Sequence, residues 1–171
     1  MTNITNTDKR DELGPDWNPA WVNDLGGALQ AAATGSGETG ESLTLSQADP
    51  LLTEAVARWA AAGADTSALG SIQINIADLS GAALGLASGD AIWLDANAAG
   101  WGWFVDATPW DDSEFSTPGN QGEMNRMDLL TAVMHELGHV LGHDHDDGGV
   151  MAETLAAGVR SSPTELLSEY D

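Results

Sequence analysis

The stretch "VMHELGHVLGHDH", Val133–His145, decides how this chain is read. All four histidines of the protein fall within it, between His135 and His145. Leu130, Met134, Leu137 and Leu141 recur at helical spacing and form one apolar stripe, which predicts an amphipathic helix over 126–141 facing the core. Asn125 is the expected N-cap, with Asp128 favourably placed in the first turn. His135 and His139 are four apart, so they stand one turn above each other on a single face, about 6 Å apart along the axis. Two imidazoles so placed can bind one metal ion. Glu136 is rotated by about 100° from His135. It borders the same face and suits a carboxylate that touches metal-bound water and not the metal. Gly142 lets the helix end in a left-handed turn, after which the chain can reverse and bring His145 to the metal. If the helix continued through Gly142, His143 would be the third ligand instead. Three protein nitrogens with one open position is the arrangement of a catalytic zinc, not a structural one.

The rest of the composition narrows the function classes. The 171 residues suit one compact domain. Asp and Glu number 27 against 5 Lys and Arg, a formal charge of −22, and Lys9 is the single lysine. Such a surface repels phosphate backbones, which argues against nucleic-acid partners. The acid excess has two readings: solubility in a salty medium, or oxygen ligands for a hard cation. Asp90, Asp95, Asp106, Asp111, Asp112 and Glu114 cluster around predicted strand ends and loops and are candidate Ca²⁺ ligands. Zero cysteines exclude disulfides, thiolate zinc sites and thiol nucleophiles. No apolar run reaches the length of a membrane span, and the polar start "MTNITNTDKRDELG" lacks the apolar middle of a secretory signal.

Along the chain, residues 1–42 read as a leader with linker-like composition. "ATGSGETGES" is rich in Gly, Ser and Thr, and "AWVNDLGGALQAAA" before it reads as a short helix. The folded domain is expected over 43–171. "LSQADPLLTEAVARWAAAG" reads as a helix with Leu52, Val56 and Trp59 on its apolar face and Gly63 as its stop. "SIQINIADL" alternates and reads as a strand carrying Ile72, Ile74 and Ile76 on one face. "ALGLAS", "AIWLDA" and "GWGWFVDATPW" are further strand candidates. Ser162 and Pro163 predict the cap and first turn of a short C-terminal helix.

His135, Glu136, His139, Gly142 and His145 fill the pattern His-Glu-x-x-His-x-x-Gly-x-x-His, and the chain thereby resembles the metzincin zinc proteases. "VMHELGHVLGHDH" is most similar to their matrixin branch. "GGVMAE" agrees, because metzincins place a methionine turn below the zinc and Met151 follows the third histidine by six residues. The resemblance implies an α+β catalytic domain. It has a small twisted mixed sheet, a first helix packed on that sheet, a long zinc-binding helix and a short C-terminal helix. It implies His145 as the third ligand and leaves His143 as a spacer facing solvent or a carboxylate. The resemblance is strong from Asp128 to Met151, weaker back to Leu43, and does not cover the leader. Three features depart from matrixins. No upstream histidines exist for a structural zinc, no cysteine exists for a cysteine switch, and 101–123 looks like an insertion. Tyr170 stands too far from Met151 to be a Met-turn ligand.

The implied activity is a zinc endopeptidase in which Glu136 moves the proton of a metal-activated water. The resemblance implies an extended peptide substrate paired to a rim strand, for which "ALGLAS" (Leu84 to Ala87) is the candidate, and "AETLAAGV" as the far wall of the adjoining pocket. It also suggests restraint by a leader aspartate, Asp11, Asp16 or Asp24, at the metal. A monomer is expected, outside the cell or on its surface, as part of a larger or non-classically exported protein. Two alternatives stand beside this. One is a zinc hydrolase with Glu153 or Glu165 as third ligand. The other is a non-hydrolytic, calcium-rich module of a large surface protein whose zinc site is vestigial.

Overall fold

A computed structural model describes residues 7–8, 28–33, 35, 42–79, 82–88, 91–116, 124–146 and 149–163. It is α+β. A six-stranded mixed sheet has the order β1-β3-β5-β4-β2-β8, formed by β1 (Thr7–Asp8), β2 (Leu29–Ala31), β3 (Gln73–Ala77), β4 (Ala83–Ser88), β5 (Ala91–Asp95) and β8 (Thr154–Leu155). β3 is parallel to both β1 and β5, β4 is antiparallel to β5 and to β2, and β8 is parallel to β2. A second pairing joins β6 (Trp103–Phe104) to β7 (Met127–Asp128). The helices are α1 (Leu45–Ala61), α2 (Ser113–Ser116) and α3 (Leu129–Val140). Among the described residues, no helix is long and apolar enough to cross a membrane.

Helix α1 begins at a capping box: the Gln47 amide donates to Thr44 Oγ1 at 3.3 Å and the Thr44 amide to Gln47 Oε1 at 3.0 Å. It buries Ala48, Leu51, Ala55 and Trp59 against α3, while Leu52 and Val56 of the expected stripe are half-buried. The small Ala48 and Ala55 turn the contact face by one residue, because they let the two helices approach closely. The Trp59 indole spans the junction and donates to the Met134 carbonyl at 2.9 Å. In the sheet, Ile74 and Ile76 are fully buried as the alternation predicts, and so are Asn75 and Ala77, because β3 is covered on both faces.

Three expectations are corrected. The alanine-rich stretch read as a helix carries strand β2 instead, inside the sheet, so the sheet extends upstream of Leu43. Sheet pairing on both sides overrides the helical preference of alanine there. The N-cap of α3 is Asp128, not Asn125. The Asp128 side chain accepts from the Thr131 amide at 3.1 Å. Asn125 instead takes a positive φ of 62°, a left-handed turn residue leading into β7. The candidate strand over 100–109 shortens to Trp103–Phe104. The C-terminal helix expected after Pro163 lies outside the described residues, as do Asp11, Asp16, Asp24 and most of the linker-like stretch.

Candidate metal centre

Helix α3 is fastened at both ends by local chemistry. Asp128 receives the Thr131 amide and, at 2.6 Å, the Thr131 hydroxyl. At the other end the Gly142 amide donates to His139 and the His143 amide to Gly138, at 3.0 and 2.9 Å, and Gly142 sits at φ +99°. This pair of bonds is a Schellman ending, and it requires the left-handed residue that glycine provides. The helix therefore stops where the sequence predicts, and the chain turns back toward its own last turns.

That reversal brings His135, His139 and His145 together. One ring nitrogen of each lies within 4.8 Å of the others, and the three could hold a metal ion. Ring centroids are 4.8 Å apart for His135–His139, 5.1 Å for His135–His145 and 4.8 Å for His139–His145. Two of the other ring nitrogens are already committed. His135 Nδ1 lies 2.7 Å from the Val150 carbonyl and His139 Nδ1 lies 2.8 Å from the His143 carbonyl. A carbonyl only accepts, so both Nδ1 atoms carry the proton and both Nε2 atoms present lone pairs. Those two Nε2 atoms stand 3.1 Å apart, and His145 Nε2 is buried without a hydrogen-bond partner. Lone pairs so close repel unless a cation lies between them, so the donor set fits a metal ion. Burial holds the His135 imidazole down to about 3, against the opposing Val150 carbonyl, and burial also lowers His139. Both rings stay neutral near pH 7, as ligands must.

Glu136 is fully buried on the same helix, its side chain against Gly85 of β4. Neither carboxylate oxygen makes a well-formed hydrogen bond. Burial pushes its carboxyl well above the usual carboxylate range, and the Leu29 backbone acts in the opposite sense. A side chain at Gly85 would meet Glu136 Oε1 at 2.9 Å, so this glycine makes room for the carboxylate.

Met151 closes the floor. The chain after His145 forms a tight turn, with the Asp146 amide donating to the Met151 carbonyl at 2.9 Å and a 3-10 turn over Gly149–Met151. The Met151 sulfur then lies directly against Gly138, one residue before His139, where a Cβ would collide with Met151 Sδ and approach Trp59 Cζ2 to 3.0 Å. Gly138 and Gly85 are the residues that the sequence reading missed. Gly138 stood in a variable position of the histidine motif and Gly85 inside a candidate strand, and only the approach of another chain segment reveals their role. His143 is also corrected. It is half-buried and stacks on the Trp59 indole, with centroids 5.1 Å apart and planes 16° apart.

The described acidic residues offered for calcium make contacts within the chain. Asp90 lies outside the described residues. Asp95 is buried and accepts from the amides of Leu79, Asn97 and Ala99, and burial raises its carboxyl to about 6. Asp106 and Asp112 are paired to Arg160 at 3.0 and 2.9 Å, and Asp112 also to Arg58 at 2.6 Å. Asp111 receives the Ser113 amide, and Glu114 the Thr108 hydroxyl. Among the described residues, the histidine triad is the one group of three or more metal-binding side chains gathered at a point. Comparison of the chain with models of protein families, with curated proteins and with solved structures found no match.

Proposed function

We propose that this chain is a zinc-dependent endopeptidase of the metzincin type, similar to the matrixins. One observation carries the reading: one ring nitrogen each of His135, His139 and His145 converge within 4.8 Å where a Schellman-capped helix turns back, and the same helix carries the buried Glu136 and rests at Gly138 on Met151. His135, His139 and His145 would hold the ion, and an all-imidazole set of three suits Zn²⁺ with an open position. Zinc bound there supplies Lewis-acid activation of a peptide carbonyl and of water at neutral pH. The chain's own residues do the rest. The Val150 and His143 carbonyls fix the tautomers and orientation of two ligands. Glu136 takes a proton and delivers it to the leaving amine, and its raised affinity for a proton is the direction such a carrier needs. Met151 and Gly138 set the height of the helix over the turn.

The test is metal content and turnover together. About one Zn²⁺ per chain is expected, with hydrolysis of an unstructured protein that a zinc chelator abolishes. Glu136→Ala should keep the metal and lose roughly 10²–10⁴-fold in rate. Full turnover by a clean Glu136→Ala preparation would overturn the mechanism.

A further inference from the structure

One side chain touches the surroundings of the three histidines at three places without being one of them. Trp59 is the last residue on the buried face of α1 and is itself fully buried. Its indole N–H donates to the Met134 carbonyl at 2.9 Å, and Met134 is the residue before His135. Its edge lies against Gly138, where an added Cβ would stand 3.0 Å from Trp59 Cζ2, and Gly138 is the residue before His139. Its ring face carries the His143 imidazole in a near-parallel stack, and His143 stands two residues before His145. Each of the three histidines is thus preceded, within two positions, by a contact with the same rigid ring. His143 is a junction in its own right. Its amide donates to the Gly138 carbonyl at 2.9 Å, and its carbonyl accepts from His139 Nδ1 at 2.8 Å. The stack on Trp59 ties that junction to α1.

An aliphatic side chain could fill much of the same volume in the core. It would offer neither a donor for the Met134 carbonyl nor a flat face for an imidazole. We infer that Trp59 is a positioning residue for the metal centre: it sets the two helical imidazoles through Met134 and Gly138, and the returning third through His143. The inference rests on the histidines being metal ligands and not on peptide hydrolysis. Groups that orient metal ligands from behind govern about 10–100-fold in metal affinity. Losing the His143 ring alone removes one of the three contacts, and the backbone bonds of residue 143 to Gly138 and His139 remain. Losing the indole removes all three at once.

The test is titration of the full chain with Zn²⁺, and with Co²⁺, whose visible absorption bands report the geometry of its ligands. Trp59→Leu should weaken Zn²⁺ binding about 10–100-fold and shift the Co²⁺ bands. Trp59→Phe keeps a ring for His143 but has no donor for Met134, and should fall between Trp59→Leu and the unmodified chain. Arg160→Ala is the control. It loosens the start of α3 through Asp128, so it should unfold more easily with Zn²⁺ affinity and Co²⁺ bands unchanged. If the Zn²⁺ affinity and Co²⁺ bands of Trp59→Leu match those of the unmodified chain, the positioning role is overturned and the metal centre stands. An equal loss in Arg160→Ala also overturns the role, because loosening α3 anywhere would then suffice. No metal bound by the unmodified chain retires the metal centre and the role together. If Trp59→Leu does not fold, Trp59→Phe decides: weaker Zn²⁺ with shifted Co²⁺ bands sustains the role, and an unmoved titration overturns it.

Discussion

Two polar clusters lie along helix α3 and are built on opposite principles. At its start, Arg160 makes a two-pronged contact with Asp128, 2.8 Å on each side, and reaches Asp106 and Asp112. Its guanidinium also lies 4.5 Å over the Phe115 ring. Asp112 is shared with Arg58, which holds Glu54 at 2.9 Å. Here charge meets charge, and the cluster ties α1, α2, β7 and the chain after β8 to one point. Toward the other end, His145 Nε2 and both carboxylate oxygens of Glu136 are buried without hydrogen-bond partners, beside the ring nitrogens of His135 and His139. Burying an unpaired polar group is costly. Where such atoms stand beside three converging imidazoles that could hold an ion, the cost marks a place built to meet something from outside the chain.

Breaking the paired cluster should have the largest effect. Arg160 is 3% exposed and its partners Asp106 and Asp128 are 1% exposed. Arg160→Ala should cost about 3–5 kcal/mol of stability, because it strands buried carboxylates. Denaturant unfolding at neutral pH checks this, and a loss under 1 kcal/mol would mean that water already reaches those carboxylates. Added Ca²⁺ should not restore the lost stability, since the carboxylates are set around a guanidinium.

The unpaired cluster should respond in metal affinity more than in stability. His145→Ala should weaken Zn²⁺ by more than the roughly 10–100-fold that loss of a supporting partner costs. His143→Ala, which removes a ring stacked on Trp59, should leave zinc within a few-fold and cost about 1 kcal/mol of stability. Parallel zinc titrations decide it. The opposite result would move the third ligand to His143 and break the distinction between the two histidines.

The smallest effect sharpens the comparison at its boundary. Gly138→Ala forces a methyl group against Met151 and Trp59. Overpacking of this kind costs about 1–3 kcal/mol, and because Met151 underlies the histidines, zinc should also bind more weakly. A melting shift with unchanged zinc affinity would show that Met151 supports the helix and not the ligands.

What the sequence alone determined is local. The helix, its end at Gly142 and the return of His145 follow from periodicity and from one residue that tolerates a left-handed backbone, all within a dozen positions. The six-residue step to Met151 is equally short. Tertiary structure decided everything that depended on distant partners. Asn125 and Asp128 are equally good caps by type; the pairing of Met127–Asp128 with Trp103–Phe104 selects Asp128. Asp106 and Asp112 read as calcium ligands until Arg58 and Arg160, far apart in the chain, arrive beside them. The alanine-rich leader reads as helix until β4 and β8 offer it two rows of backbone partners. Helical periodicity and turn chemistry act between residues a few positions apart and are written into neighbours. Ion pairing and strand addition act between surfaces that exist only after the chain has closed on itself, and no local pattern encodes them.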